Sequence, residues 1–246
     1  MAGKIYAVGL GPGKKDGLTF EAYSVLQSAD LIVGFNTYID LVRQYLPEKD
    51  FFGSPMTNEL ERVKKCFEEA LLNKTVCLVS SGDPGVYALA SPLFEMSAQY
   101  PDIEIIVIPG VSALLSGAAL LGAPIGNDTA MISLSDLMTP WEIIEKRLKA
   151  AAIGDFSIVL YNPGSRKRKD HLKKAVDIML SEGKSPDTPC GTVRNIGRDN
   201  EEANLYKLSE LREIEVDMFT TVFIGNSGTK IINNRLVTKR GYEIDE

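Results

Sequence analysis

Four short stretches hold the residues best placed to do chemistry: Gly9-Leu10-Gly11-Pro12-Gly13, Ser80-Ser81-Gly82-Asp83-Pro84-Gly85, Pro109-Gly110-Val111-Ser112-Ala113 and Tyr161-Asn162-Pro163-Gly164-Ser165. Glycine reaches backbone conformations closed to other residues, and proline fixes φ and removes a donor. Such loops let main-chain amides approach a ligand closely. Only Asp83 among them carries a charge at neutral pH, so a site lined by them is poor in general acids, bases and nucleophiles. It suits a reaction whose reagent arrives already activated. S-adenosyl-L-methionine is such a reagent, since its sulfonium makes the methyl group an electrophile and leaves the protein to align the acceptor and exclude water.

The positioning elements follow from periodicity. Lys4–Gly9 is a β-run, and Thr19 is placed to cap a helix whose apolar residues Ala22, Val25, Leu26 and Ala29 recur at i, i+3, i+4 and i+7. Asp30–Gly34 reads as a strand, and Tyr38, Leu41, Val42 and Tyr45 mark a helix that Pro47 ends. Asn58 and Glu61 form a capping-box pair for a helix with Leu60, Val63, Phe67, Ala70 and Leu71 inward. Thr75–Val79 is a strand; a helix is expected from about Gly85, kinked or divided at Pro92, and Ile103–Ile108 is a further strand before a small-residue helix to Leu121. Gly122–Asn127, with two glycines and a proline, is the boundary candidate, giving domains 1–122 and 123–246. Beyond it come strand Ala130–Leu134, a helix started by Thr139-Pro140-Trp141-Glu142, strand Phe156–Tyr161, a helix marked by Leu172, Ala175, Val176 and Met179 and ended by Gly183, and strands Gly191–Arg194, Leu205–Leu208 and Thr220–Ile224. Alternating strands and helices in the first half predict a largely parallel sheet covered on both faces; the second half is mixed. The fold class is therefore two α/β domains, with sites at the carboxyl ends of the strands.

Other chemistries fail on spacing or composition. A dinucleotide fingerprint needs glycine where Lys14 stands and an acid where the second strand ends Val33-Gly34-Phe35-Asn36; a Walker A loop needs glycine at Ile178, ahead of Gly183-Lys184-Ser185. Cys66, Cys77 and Cys190 lie far apart and read as small buried hydrophobes. His171 is the single histidine, which speaks against a histidine metal site or catalytic triad, so no metal is expected. A net charge of −6 disfavours a general nucleic-acid or anionic-membrane surface, and no apolar run approaches a bilayer span, so the expected setting is cytoplasmic.

The glycine-rich N-terminal motif, Ser81-Gly82-Asp83-Pro84 and Pro109-Gly110-Val111-Ser112-Ala113, in that order and over nearly the whole chain, resemble the tetrapyrrole methylases, the class III S-adenosyl-L-methionine-dependent methyltransferases. Ile132–Leu137 with Thr139-Pro140-Trp141, Leu160–Pro163 and Gly225-Asn226-Ser227 are similar to the subgroup that methylates carbon 17 of precorrin-3B or cobalt-precorrin-3 and contracts the macrocycle. The resemblance implies two α/β domains with the cofactor in the cleft between them, a homodimer, and a substrate that is the tetrapyrrole itself. It implies cofactor contacts from Pro12, Gly82, Asp83, Val86, Ser112 and Ala113, with Asn162, Ile196 and Thr220 from the second half, and a substrate contact from Gly11. Arg166, Arg168 and Arg198 are candidates for the acetate and propionate carboxylates of such a substrate, which guanidinium forks suit. Asp136 and Asp128 are candidate proton handlers, with loop capping the other role open to Asp136; Trp141 either walls the macrocycle or packs at its helix start. Where the subgroup usually has His-Asp, this chain has Asn127-Asp128. Other tetrapyrrole positions, a diphthine synthase and a nucleotide-binding regulatory module are the alternatives.

Overall fold

The computed structural model describes residues 3–165 and 168–242, which form two compact units, Met1–Ala113 and Leu114–Glu246. In the first unit the strands are β1 (Lys4–Gly9), β2 (Leu31–Phe35), β3 (Phe51–Ser54), β4 (Thr75–Ser80) and β5 (Glu104–Ile108), with α1 (Phe20–Ser28), α2 (Asn36–Arg43), α3 (Glu59–Ala70) and α4 (Ala90–Ser97) between them. Among the described residues these strands make one sheet, all parallel, in the order β3-β2-β4-β1-β5. Because strand side chains alternate, Ile5, Ala7, Val76 and Leu78 face α3 and α4, while Val8, Cys77 and Val79 face α1 and α2. Both faces are covered along β1, β2 and β4, as continuous apolar strands require, while the edge strands β3 and β5 stay partly exposed.

The second unit holds α5 (Ala113–Leu121, from Leu114 on), β6 (Gly122–Ala123), β7 (Thr129–Ser133), α6 (Trp141–Ile153), β8 (Ser157–Tyr161), α7 (His171–Ser181), β9 (Pro189–Arg194), β10 (Glu202–Lys207), α8 (Leu208–Leu211), β11 (Thr220–Ile224), β12 (Thr229–Ile232) and β13 (Arg235–Thr238). The main sheet runs β10-β9-β11-β8-β7; β7 and β8 are parallel and the other pairs antiparallel, the mixed sheet expected. One face packs Ile132, Ile158, Leu160, Cys190 and Val222 against α6 and α7. On the other, α5 sits so close that a Cβ on Gly117 would lie 2.8 Å from the Phe223 ring, and one on Gly191 2.7 Å from Leu121. A small sheet, β12-β13-β6, completes the unit.

Several local expectations change. Thr19 does cap α1, accepting from the Ala22 amide at 3.0 Å. Asn58 and Glu61 form no capping box: the Asn58 amide donates to the Glu61 carboxylate at 2.5 Å, and Leu60 and Leu71 are exposed rather than inward, their places taken by Cys66 and the Arg62 stem. The helix foreseen from Gly85 starts at Ala90, so Pro92 lies in its first turn, where a missing N–H costs nothing. Pro140, not Thr139, is the N-cap of α6. Lys184 of the rejected Walker spacing is buried, donating to the Gly225 carbonyl at 2.8 Å and to Phe156 at 3.2 Å. Burial pushes the Cys77 and Cys190 thiols up to about 12, and Cys66 upward as well; all three are free, inert packing residues. No described helix is long and apolar enough to cross a membrane.

Gly117→Ala should push a methyl group into the buried Phe223 ring and cost about 1–3 kcal/mol. The thermal midpoint should fall by several degrees in calorimetry; an unchanged midpoint would refute the tight seating of α5 on the sheet.

Candidate functional site

In the first unit the central strands β4, β1 and β5 end almost level, Gly9 opposite Ser80 and Val8 opposite Ile108. Their three loops then interlock. Gly11 and Gly82 exchange both backbone hydrogen bonds, Gly11 donating at 3.1 Å and Gly82 at 2.8 Å, each with φ near +65° (64 and 66°). A Cβ on Gly9 would stand 2.6 Å from both the Gly110 nitrogen and the Gly82 oxygen, and one on Gly110 would collide with that same oxygen. Only glycine permits this approach. Asp83 pins the arrangement: Oδ1 accepts from the Gly85 amide at 2.8 Å and Oδ2 from the Gly110 amide at 3.0 Å. Asp83 is thus both a turn former and a strut between two loops. Gly82 faces Ser112, with an ideal Cβ 3.5 Å from the Ser112 Cα, and Val86 donates to the Asp83 carbonyl at 3.2 Å. Gly11, Pro12, Gly82, Asp83, Val86, Ser112 and Ala113 accordingly share one end of one sheet. The N–H of Gly11 is engaged with Gly82, and its C=O accepts one hydrogen bond from the same residue.

The second unit gathers a different population at one end of its sheet. Antiparallel pairing sets Thr220 opposite Arg194 and, two residues past Val222–Leu160, beside the end of β8 at Asn162; Ser133 closes β7 at the same end. Ile196 follows β9 there, its methyl placed 3.0 Å from where a Gly117 Cβ would stand. Asn162 takes φ 52° and donates through Nδ2 to the Ser133 hydroxyl at 3.0 Å. Arg168 Nη1 donates to the Ser135 hydroxyl at 2.8 Å and lies 3.6 Å from Asp136 Oδ1. His171 Nε2 lies 3.2 Å from Asp136 Oδ2, and the imidazole packs edge-on to Trp141 at 4.8 Å. Trp141 therefore lines the histidine. Arg198 stacks over Phe219 at 5.7 Å beyond β9. Arg166 lies outside the described residues.

Asp128 does not join this group. It precedes β7, exposed, while Asp136 follows the strand, so the two carboxylates stand at opposite ends of a five-residue strand and cannot share a proton relay; that separation is about 15 Å or more. The partner Asp136 does have is His171, a pairing the sequence conceals because 34 residues intervene. The available signal was a lone histidine on the apolar face of a helix, in register with Leu172, Ala175 and Met179.

Burial alone would raise the Asp136 carboxyl, but the His171 hydrogen bond and charge, with Arg168, outweigh it and hold it below the usual carboxylate range. Asp217 behaves likewise: burial acts upward, yet hydrogen bonds from Arg194 (Nε, 2.9 Å), Thr220 (2.9 Å) and the Phe219 amide (3.0 Å) hold it low.

The fold is two α/β units, the first with a loop cluster built largely from backbone at its strand ends, and the chain belongs to the tetrapyrrole (corrin/porphyrin) methylases, whose family model matches residues 4–212. It is 42% identical to the probable cobalt-factor III C(17)-methyltransferase of Salmonella typhimurium over 96% of this chain and 98% of that protein. It is 40% identical to the cobalt-factor III methyltransferase of Priestia megaterium over 99% of this chain but 46% of that protein, so it spans about half the length of that curated relative. The crystal structure of the methyltransferase CobJ superposes with a TM-score of 0.88 at 35% identity, covering 97% of this chain and 100% of its own.

With folded values depressed, the unfolded chain binds protons first as acid is added. The stability given by Asp136 and Asp217 is complete above the ordinary value of about 4 and is lost as pH falls through the folded values. Asp217→Asn should lower stability at pH 7 by about 1 kcal/mol or less, its ion pair being partly exposed, and should flatten the loss between pH 5 and 2. Urea melts across that range test it; parallel curves for variant and wild type would dismiss the effect.

Proposed function

We propose that the chain is an S-adenosyl-L-methionine-dependent C-methyltransferase acting at carbon 17 of a precorrin-3-type tetrapyrrole, with the associated ring contraction of corrin synthesis. The observation that carries the reading is the interlock of three small-residue loops around Asp83. The names of its relatives, which share up to 42% of its residues, support the position methylated.

The residues fit the cofactor. Loops 9–13, 80–85 and 109–113 hold no cationic side chain that would repel a sulfonium, and their one charge is the Asp83 carboxylate. Gly82 takes a positive φ that other residues rarely adopt, and its Cα faces the backbone of Val111, Ser112 and Ala113. Pro12, Gly82, Asp83, Val86, Ser112 and Ala113 would hold it, with Asn162, Ile196 and Thr220 from the second unit. When bound, S-adenosyl-L-methionine supplies a methyl group already primed for displacement, with S-adenosyl-L-homocysteine the product.

The chain's own work is then alignment and exclusion of water. The locked backbone of the three loops cannot relax, so what it binds is held in one pose. The groups of these loops capable of nucleophilic chemistry are the hydroxyls of Ser80, Ser81 and Ser112 and the Asp83 carboxylate, and each Asp83 oxygen already accepts a backbone amide. Arg168 and Arg198 offer guanidinium groups to substrate carboxylates, and a chain of net charge −6 must gather such positive potential locally. Asp136, kept ionised, accepts hydrogen bonds well and takes up protons poorly. The reading carries with it a homodimer working in the cytoplasm.

Calorimetry should show S-adenosyl-L-methionine binding and none for NAD or ATP; tight NAD binding alone would overturn the class. Methyl-labelled cofactor with cobalt-factor III should place the label at carbon 17 by NMR, and a label at another carbon would remove the position while sparing the class. Asp83→Ala should weaken cofactor binding and also cost about 1–3 kcal/mol of stability by orphaning the Gly110 amide. Wild-type values on both counts would reduce Asp83 to a bystander.

A further inference from the structure

His171 is 6% exposed, yet its Nδ1 makes no hydrogen bond, although Asp170 Oδ1 lies 3.4 Å away. Among the described residues the buried side-chain polar atoms without a hydrogen-bond partner are Arg62 Nε, Arg168 Nε and His171 Nδ1. Two of the three belong to side chains that bracket Asp136. A buried donor or acceptor left unsatisfied is costly, and an apolar residue of similar size at position 171 would pack against Trp141 without that cost. Packing therefore does not explain the imidazole; what it does to Asp136 can.

The geometry points the same way. Asp136 projects from the loop after β7 and is itself about a third exposed, with Oδ2 3.2 Å from His171 Nε2 and Oδ1 3.6 Å from Arg168 Nη1. Ser135 takes the same Arg168 nitrogen at 2.8 Å, and Ser133 takes Asn162 at 3.0 Å, so the loops after β7 and β8 are sewn together by short side chains. His171 is the first residue of α7, backed by Trp141 of α6, with Lys174 over the indole at 5.7 Å. It cannot swing without unpacking two helices. An exposed aspartate beside a polyanionic substrate would repel it; one anchored from behind and paired in front serves to aim a guanidinium.

We propose that His171 is a positioning residue: it anchors Asp136, and Asp136 with Ser135 holds the Arg168 guanidinium for a carboxylate of the substrate. The inference rests on the tetrapyrrole reading above, because a polycarboxylate is what such a clamp would take.

Binding of uroporphyrin III, followed by absorbance, provides the measurement. His171→Leu and Asp136→Ala should each weaken binding about tenfold, the worth of one charge-assisted hydrogen bond. The double variant should be no weaker than either single one, since both remove the same support. His171→Gln, whose amide nitrogen reaches the Nε2 position, should bind within about twofold of wild type. With cobalt-factor III the singles should raise KM and leave kcat nearly unchanged, the mark of lost ground-state binding. The histidine also reports directly, being unique in the chain: in untagged, substrate-free protein, Asp136→Ala should move the Nε2 resonance in long-range 1H–15N spectra. An unmoved resonance, additive losses, wild-type affinity in His171→Leu, or failure of the wild type to bind the probe would each overturn the clamp. A methyl label found away from carbon 17, with the losses still non-additive, would instead overturn the position methylated and leave the clamp standing.

Discussion

The structure of the first unit depends on how closely three pieces of backbone approach one another at Gly9, Gly82 and Gly110. Three neighbouring parallel strands end nearly level, and their loops cross where no Cβ fits on Gly9 or Gly110 and where Gly82 takes a positive φ. Everything nearby follows from that crowding. Side chains are kept small, the remaining polar groups are amides and carbonyls, and a single carboxylate ties two of the loops together. A site made in this way has rigidity and shape but little acid–base capacity. The chemistry it hosts must come with the ligand, and a sulfonium methyl donor meets that requirement.

The second unit solves a different problem with a different material. Its sheet end collects Arg168, Asp136 and His171 on one side and Arg194 with Asp217 on the other, each charge matched at short range. Matched pairs let an acidic protein place guanidinium groups at one sheet end without leaving them to find solvent partners. The mixed topology makes the gathering possible, because antiparallel β11 and β9 return residues 220 and 194 to the end where β7 and β8 finish. A purely parallel sheet would have kept Arg194 there but sent Thr220, the first residue of β11, to the opposite end.

What was legible in the sequence was whatever a repeating pattern encoded. Continuous apolar runs gave β1, β2 and β4, and the 3.6-residue recurrence gave α1, α2 and α7. β3 escaped notice because Phe-Phe-Gly-Ser is four residues long, lies at a sheet edge and contains glycine, which weakens any strand signal. The β12–β13 hairpin was missed although it carries one of the stronger short-range signals: Asn233 and Asn234 both take positive φ (49 and 58°) in a two-residue turn between β-branched runs. The start of α4 was misplaced because Ala and Leu suit a helix, whereas Tyr87 at φ 51° does not. In the candidate site the glycine loops were legible as local motifs. The Asp136–His171 pair was not, since it joins a strand end to a helix start across an intervening helix and strand.

The two units also differ in how they treat unsatisfied groups, and that difference bears on purpose. In the first unit Asp83 has an amide on each oxygen, and Gly11 and Gly82 satisfy each other. Such an arrangement is complete before any ligand arrives, so a ligand meets a formed surface. Around Asp136, by contrast, Arg168 Nε and His171 Nδ1 stay buried without hydrogen-bond partners. A folded chain tolerates such defects where the order they impose serves something other than stability. A complete backbone surface fits a ligand of constant shape, the same cofactor at every turnover. An incompletely satisfied charged cluster fits a partner that brings its own polar groups, as a carboxylate-fringed macrocycle does. On the proposed function, the satisfied loops of the first unit suit the reagent and the incompletely satisfied cluster of the second suits the acceptor.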